Sequence, residues 1–442
     1  MKRGEMARGA ADRYYQPELE TMDRAGIEAI QEEKLLELIP YAYERSALIR
    51  ETWDEAGVRP SDVRSLDDFR AKAPFLSKQA IRDFRDRHGD PYGGLLCIPE
   101  AELTAIMSTS GTTGDPTLIP EQWGGGRDDR APALVRDFYE MGTRPGDYFT
   151  FMLFTFRGPS FAVVQSLGAV PVLLDHTPLE LPRFVKLSLE LRPVGLYNIS
   201  NVLITELDRL ATREGVDLRE VFSSYRGVVH GGEQLGVRSE RLLAEWGVET
   251  FEHTAVGDAA AATECREHNG CHMWEDGVLA EHLDPEGVEP IPDGTRGELV
   301  VTGLDDRVAP LVRYRSDDLV EIARSQCACG RTHGRLWPLG RKGDEVVIAG
   351  RSVLPRDVWA AVESVDETAA GLFQIVRGER ESNRLRLRVG HDGSTADPDR
   401  LSQQVAAAVA EAVGVEPDVE LVADADLLAL GPPHKIPRVA KA

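Results

Sequence analysis

The stretch MSTSGTTGDPTLIP, residues 107–120, sets Ser108, Thr109, Ser110, Thr112 and Thr113 around Gly111 and Gly114. Hydroxyls and glycine-freed backbone amides in such a turn can converge on one anion, which makes it a candidate phosphate cradle. A Walker A loop it is not: the glycines stand three apart and no lysine follows. Asp115 occupies a place where a phosphate site would favour a cation, and an acid at a solvated loop tip is tolerated because charge is screened over about 8 to 10 Å.

Charge and length narrow the setting of this cradle. The 442-residue chain carries a formal charge of −23, which disfavours general binding to nucleic acid or to anionic membranes, so an anionic substrate needs local cations. No apolar run approaches the roughly 20 residues of a membrane span, and a cytoplasmic protein is expected. Five cysteines are too few and too clustered for a disulfide framework, so a metal site is the sharper reading.

Working outward, residues 24–55 carry helical apolar spacing, with Pro40 expected to kink or break the pattern. Between residues 145 and 305, runs such as DYFTFMLF, GAVPVLLD, VGLYNIS, RGVVHGG and GELVVTGL are separated in several places by helical segments. That alternation predicts an α/β body with a largely parallel sheet. From about residue 341 the order becomes βαββαβ, a ferredoxin-like α+β unit. The expected division is 1–340, a large N-terminal domain, and 341–442, a small C-terminal one.

STSGTTGDPT resembles the phosphate-binding loop of the adenylate-forming superfamily of acyl-CoA synthetases, adenylation domains and luciferases. HGGEQLG (230–236), RYRSDD (313–318), GRKGDE (340–345) and PHKIPRV (433–439) are similar to that superfamily's adenine, ribose, hinge and terminal-lysine segments, in the same order. Within it, APLVRYRSDDL, ECREHNGCHMWED, CACGRTHGRL and the N-terminal YYQPELETMDRAG resemble the phenylacetate-CoA ligases.

The resemblance implies an α/β adenylate-forming domain and a mobile C-terminal domain that brings a catalytic lysine. Lys435 would position the substrate carboxylate against the nucleotide, relieving the repulsion between two anions. Thr254 would serve phosphate as a second catalytic residue. Gly231, Gly232 and Glu233 would lie along adenine, Asp318 would accept from the ribose hydroxyls, and Arg341 would reach ribose or phosphate. Gly343 and Asp344 would absorb the domain rotation. Candidates for the acyl pocket are Phe154, Phe156, Arg157, Tyr197, Asn198 and Ser200, with His253 at its border; aromatic walls with a few polar groups suit an aryl acid.

Cys265, His272, Cys327 and Cys329 offer three thiols and an imidazole, the ligand set of a closed structural Zn2+ site, with Cys271, His268 or His333 as alternative fourth ligands. One departure from the family stands out. The superfamily's magnesium-binding glutamate falls at Ala255 in FEHTA (251–255), so Glu252, Asp258 or Glu264 must serve if Mg2+ takes a protein carboxylate there.

The implied reaction is ATP-dependent activation of an aromatic acid as acyl-AMP, with pyrophosphate release and transfer to CoA. The alternatives are an amide synthetase with an amine acceptor and a degenerate nucleotide-binding homologue. The expected cofactors are ATP, Mg2+, structural Zn2+ and CoA as co-substrate. The partners are small molecules, with a homodimer as the candidate assembly.

Overall fold

A computed structural model describes residues 13–108, 117–122, 131–153, 160–343, 346–348, 350–377, 381–382, 384–430 and 436–441. Thr109 to Gly114, Asp115, Phe154, Phe156, Arg157, Asp344 and Lys435 lie outside the described residues.

A single helix, Arg24–Arg45, contains Pro40, and the break comes only at Ser46, whose hydroxyl accepts from the Ile49 amide to start the helix Ala47–Glu55. Pro40 lies on the exposed side of its helix, where water can satisfy a carbonyl left without its donor. These helices bury Leu35, Leu38, Ile39, Leu48 and Trp53 in one cluster with Val301, Tyr314 and Leu336 of the large sheet. Burying each such side chain is worth about 1.5–3 kcal/mol, which fixes the N-terminal helices onto the sheet.

The large sheet begins at β1 (Leu76–Ser77); β2 (Ala105–Ser108) and β3 (Leu118–Glu121) form a separate antiparallel pair flanking the phosphate-loop stretch. Then come β4 (Tyr148–Leu153), β5 (Val170–Asp175), β6 (Gly195–Tyr197), β7 (Gly227–Gly231) and β8 (Thr250–Val256), in spatial order β5-β4-β6-β7-β8 and all parallel. Helices such as Leu181–Leu191, Asn201–Glu214 and Val237–Glu245 fill the crossovers between them.

Beyond β8 the sheet turns antiparallel. β9 (Ala260–Glu264), β10 (Cys271–Met273), β11 (Val278–Leu283), β12 (Arg296–Gly303), β13 (Tyr314–Ala323) and β14 (Arg335–Arg341) continue it in the order β9-β10-β14-β13-β12-β11. The expected largely parallel sheet is therefore parallel from β5 to β8 and, apart from the short parallel pair of β1 with β13, antiparallel beyond. The reason is connection length: three residues, Gly257 to Ala259, join β8 to β9, enough for a hairpin and far too few for a parallel crossover.

The C-terminal part has its own apolar core around Val358, Phe373, Leu387 and Val405. β15 (Val346–Ile348), β16 (Arg351–Val353) and β18 (Glu381–Ser382) make a three-stranded sheet; β17 (Phe373–Arg377), β19 (Leu385–His391), β20 (Pro417–Ala423) and β21 (Val439–Lys441) make one of order β20-β19-β17-β21. The α+β class is as expected, with one difference of order. A ferredoxin-like sheet would interpose its first strand between β19 and β20, which here adjoin in parallel. Gly350, at φ +77, turns the chain back so that β15 pairs with β16 instead.

Candidate active site

In a doubly wound sheet, ligands bind beyond the carboxyl ends of the strands where the strand order reverses. Here the chain runs from β4 outward to β5 and then returns to β6 on the other side of β4, so that point lies between β4 and β6. The predicted acyl segment 154–157 directly follows β4, and Tyr197 ends β6 with Asn198 and Ser200 just after it. Tyr197 packs its ring 5.9 Å from Phe138 and 5.6 Å from Phe151, and meets His253 edge-on at 5.5 Å. Asn198 is buried at a left-handed φ of +77, and its amide donates to the Val229 carbonyl. Ser200 is committed locally, accepting from the Leu203 amide to cap the helix Asn201–Glu214.

His253 is anchored by residues that no sequence pattern singled out. Thr263 donates its hydroxyl proton to Asp137 Oδ2 at 2.9 Å, and Thr263 Oγ1 lies 2.7 Å from His253 Nδ1. With that proton spent, His253 Nδ1–H is the donor in the second bond, and the ring's lone pair resides on Nε2. Trp274 Nε1 donates to the other oxygen of Asp137 at 2.8 Å. Burial pushes the Asp137 carboxyl up to about 7, opposed by these two hydrogen bonds.

Of the residues expected to meet the nucleotide, Gly231 ends β7 and Gly232 follows at φ +81. A Cβ on Gly231 would stand 2.3 Å from the His253 carbonyl oxygen, so close approach of β8 requires glycine there. The Glu233 carboxylate accepts from Arg438 Nε at 2.5 Å. Ser108 ends β2 at the edge of the phosphate stretch. Thr254 and Ala255 sit on β8, opposite Ala262 and Ala261 of β9.

Asp318 and Arg341 are cross-strand partners on β13 and β14, and Arg341 Nε lies 3.2 Å from Asp318 Oδ1. Burial raises the Asp318 carboxyl to about 6, against the pull of Arg341. Lys78, the first residue of the helix Lys78–His88, feels the same charges: burial lowers its ammonium, while Asp258 and Asp318 raise it and Arg341 and Arg82 lower it. Sequence reading missed Lys78 because only the pairing of β1 with β13 brings it to Asp318. Asp258, at φ +60 in the β8–β9 turn, acts electrostatically on Asp318, Lys78 and Tyr314. Of the three carboxylates considered for Ala255, it alone faces this group. Glu252 is pushed up to about 7 by burial and by Glu264, and the Glu264 carboxylate accepts from the Glu252 amide.

The four predicted metal ligands converge. One ligand atom from each of Cys265, His272, Cys327 and Cys329 lies within 4.8 Å of the others, and all four residues are buried. Cys265 follows β9, His272 lies on β10, and the two other thiols precede β14. His272 Nδ1 contacts the His333 carbonyl at 3.1 Å, which directs Nε2 at the thiols, 3.4 Å from Cys329 Sγ. Amide donation from Arg331 to Cys329 Sγ at 3.5 Å supports thiolate character. A hydrogen bond from Cys265, then one from His272, holds the Cys329 thiol far below its ordinary value. The donor set fits Zn2+.

The alternative fourth ligands point elsewhere. Cys271 Sγ faces the Glu252 carbonyl, His268 contacts Glu264 and Glu249, and both ring nitrogens of His333 are engaged, by the Glu275 amide and the Leu19 carbonyl.

A parallel sheet continued by antiparallel strands and followed by a small α+β part is the fold of the adenylate-forming ligases of the acyl-CoA synthetase type. No family model matches the chain. It is 33% identical over 386 residues to the phenylacetate-coenzyme A ligase of Thermus thermophilus, spanning 85% of this chain and 84% of that protein. Against the Escherichia coli K12 enzyme of the same name, the identity is 26% over 418 residues, 91% of this chain and 92% of that one. The chain thus belongs to the phenylacetate-CoA ligase family.

Among solved structures, 2-hydroxyisobutyryl-CoA ligase in its postadenylation state superposes with a TM-score of 0.82 at 26% identity, covering 99% of this chain and 94% of that one. The same protein in its thioesterification state gives 0.68 at 27% identity, with the same coverage. No helix among the described residues is long and apolar enough to cross a membrane.

Proposed function

We propose that the protein is an AMP-forming acid:CoA ligase that activates an aromatic carboxylic acid as its acyl-adenylate and passes the acyl group to CoA. The observation that carries this reading is the pairing of Asp318 with Arg341 across β13 and β14, in a chain 33% identical to a phenylacetate-CoA ligase over 85% of its length. The proposed domains are 1–340, binding ATP and acid, and 341–442, bearing Lys435, with the hinge at Gly343 and Asp344.

Each group has a definable task. Asp318 accepts from the ribose diol, Gly231 and Gly232 let adenine approach the backbone, and Ser108 to Gly114 cradle phosphates together with Thr254. Lys78 and Arg341 supply the positive charge that Asp115 does not. Mg2+ would be held through Asp258, where it would neutralise phosphate charge; it needs only one or two protein carboxylates and otherwise keeps its waters. Lys435 brings the carboxylate onto the α-phosphorus, where charge builds on the phosphoryl oxygens as the bond to pyrophosphate breaks.

The aromatic preference is supported by the Tyr197, Phe138 and Phe151 rings at the strand-order reversal. His253, held through Thr263 and Asp137, borders those rings, meeting Tyr197 edge-on at 5.5 Å. Incubation with Mg-ATP, a panel of aromatic acids and either CoA, amines or hydroxylamine tests both substrate and acceptor. Thioester formation from an aromatic acid is the expected outcome; pyrophosphate release followed only by amide formation would replace CoA as acceptor.

A further inference from the structure

Three residues after Lys435, Arg438 is fixed from several directions. Ile436, directly after the lysine, is buried with Ala370, Leu372 and Leu427, and Val202 of the helix Asn201–Glu214 packs against that cluster. The Pro437 carbonyl accepts from Gln374 Nε2 at 2.7 Å, and β21 then runs parallel to β17. The Arg438 guanidinium lies 3.7 Å from the Trp359 ring centroid and donates Nη1–H to the Gly371 carbonyl at 2.6 Å. Its Nε donates to Glu233, in the turn after β7, across what the proposed function treats as the domain boundary.

Both side chains of the pair are largely dry, 10% and 13% exposed. A pair so shielded is screened much less than a surface one, and removing one member leaves an uncompensated charge. A second contact crosses the same boundary. Glu363 accepts from Trp359 Nε1 at 2.9 Å and from the Arg238 amide at 3.2 Å, at the start of the helix Val237–Glu245. The Trp359 ring under Arg438 therefore also orients the carboxylate that grips the next turn of the adenine segment.

We propose that Arg438 is a positioning residue: its pair with Glu233 clasps the lysine-bearing segment to the adenine turn and so holds Lys435 in register for adenylation. The clasp explains why Glu233, expected at the adenine, turns its carboxylate toward the C-terminal part. It also accords with the higher TM-score against the postadenylation state, 0.82, than against the thioesterification state, 0.68, of one ligase. The proposal rests on the two-step ligase reading and adds what keeps the first step's geometry.

The test separates the half-reactions in Arg438→Gln, Glu233→Gln and the double variant Glu233→Arg with Arg438→Glu, after each has matched the wild-type melting temperature to within a few degrees. Acid-dependent ATP–pyrophosphate exchange should fall about tenfold in kcat in Arg438→Gln, while CoA consumption of supplied acyl-adenylate stays level or rises. The charge swap should recover part of the exchange. Tryptic nicking after Arg341 or Lys342, followed on the whole ligand-free protein, should quicken in Arg438→Gln and slow again in the swap. Equal losses in both half-reactions, unchanged exchange, or unchanged nicking would overturn the clasp. If the wild type exchanges pyrophosphate with no acid, the ligase reading fails by itself and the nicking rates still decide the clasp.

Discussion

Asp318 and Arg341 face each other across β13 and β14 with 3.2 Å between Oδ1 and Nε, so the carboxylate assigned to ribose is already paired with a cation. Charge-assisted hydrogen bonds are worth about 1.5–3 kcal/mol, so Asp318→Asn should raise the KM for ATP about ten- to a hundredfold. Steady-state kinetics in ATP at saturating acid would show it; an unchanged KM would remove Asp318 from the nucleotide site.

The same carboxyl sets a pH dependence. Burial raises it to about 6, opposed by Arg341, so it gains its proton, and loses the charge that accepts from ribose, as pH falls through about 6. The KM for ATP should climb below that pH in the wild type and lose this inflection in Asp318→Asn. Stability runs the other way. The folded state holds the proton more tightly than the unfolded chain, so this one group's destabilising effect is full above pH 6 and fades as pH drops toward the ordinary carboxyl value.

Lys78 should matter to phosphate because the predicted loop carries Asp115 where a cation was expected. Lys78→Met should lower kcat/KM for ATP about tenfold, with the KM for the acid little changed. A fall confined to the acid's KM would place the ammonium elsewhere.

Thr263→Val keeps the shape of the side chain and removes the hydroxyl between His253 and Asp137. The imidazole then loses its fixed tautomer, and kcat/KM for the acid should drop roughly tenfold while the KM for ATP holds. Parallel titrations in acid and in ATP separate the two.

Metal analysis of protein purified without chelator should return one zinc per chain. Cys327→Ser should lose it and lower the melting temperature by about 5 to 10 °C, because the ligands come from three separate parts of the chain that the metal ties together. Metal-free protein with unchanged stability would refute the site.

What could be read in advance follows the range of the interactions. Asp318, Arg341 and the glycines at the end of β7 sit in short motifs whose chemistry is local, and the cysteines and His272 declare themselves by residue type. Asp137, Thr263, Lys78 and the partnership of Glu233 with Arg438 carry no such mark. Sequence separations of 126 and 205 residues divide Asp137 from Thr263 and Glu233 from Arg438, and only the folded sheet closes them. The strands after β8 misled in another way: apolar runs announce strands, but their direction depends on the short Gly257 to Ala259 turn.

The central claim is tested most directly by pyrophosphate release. With Mg-ATP and a panel of aromatic acids, the wild type should release pyrophosphate with at least one acid, and Lys435→Ala should abolish most of that release. No release above the Lys435→Ala background with any acid would contradict the account.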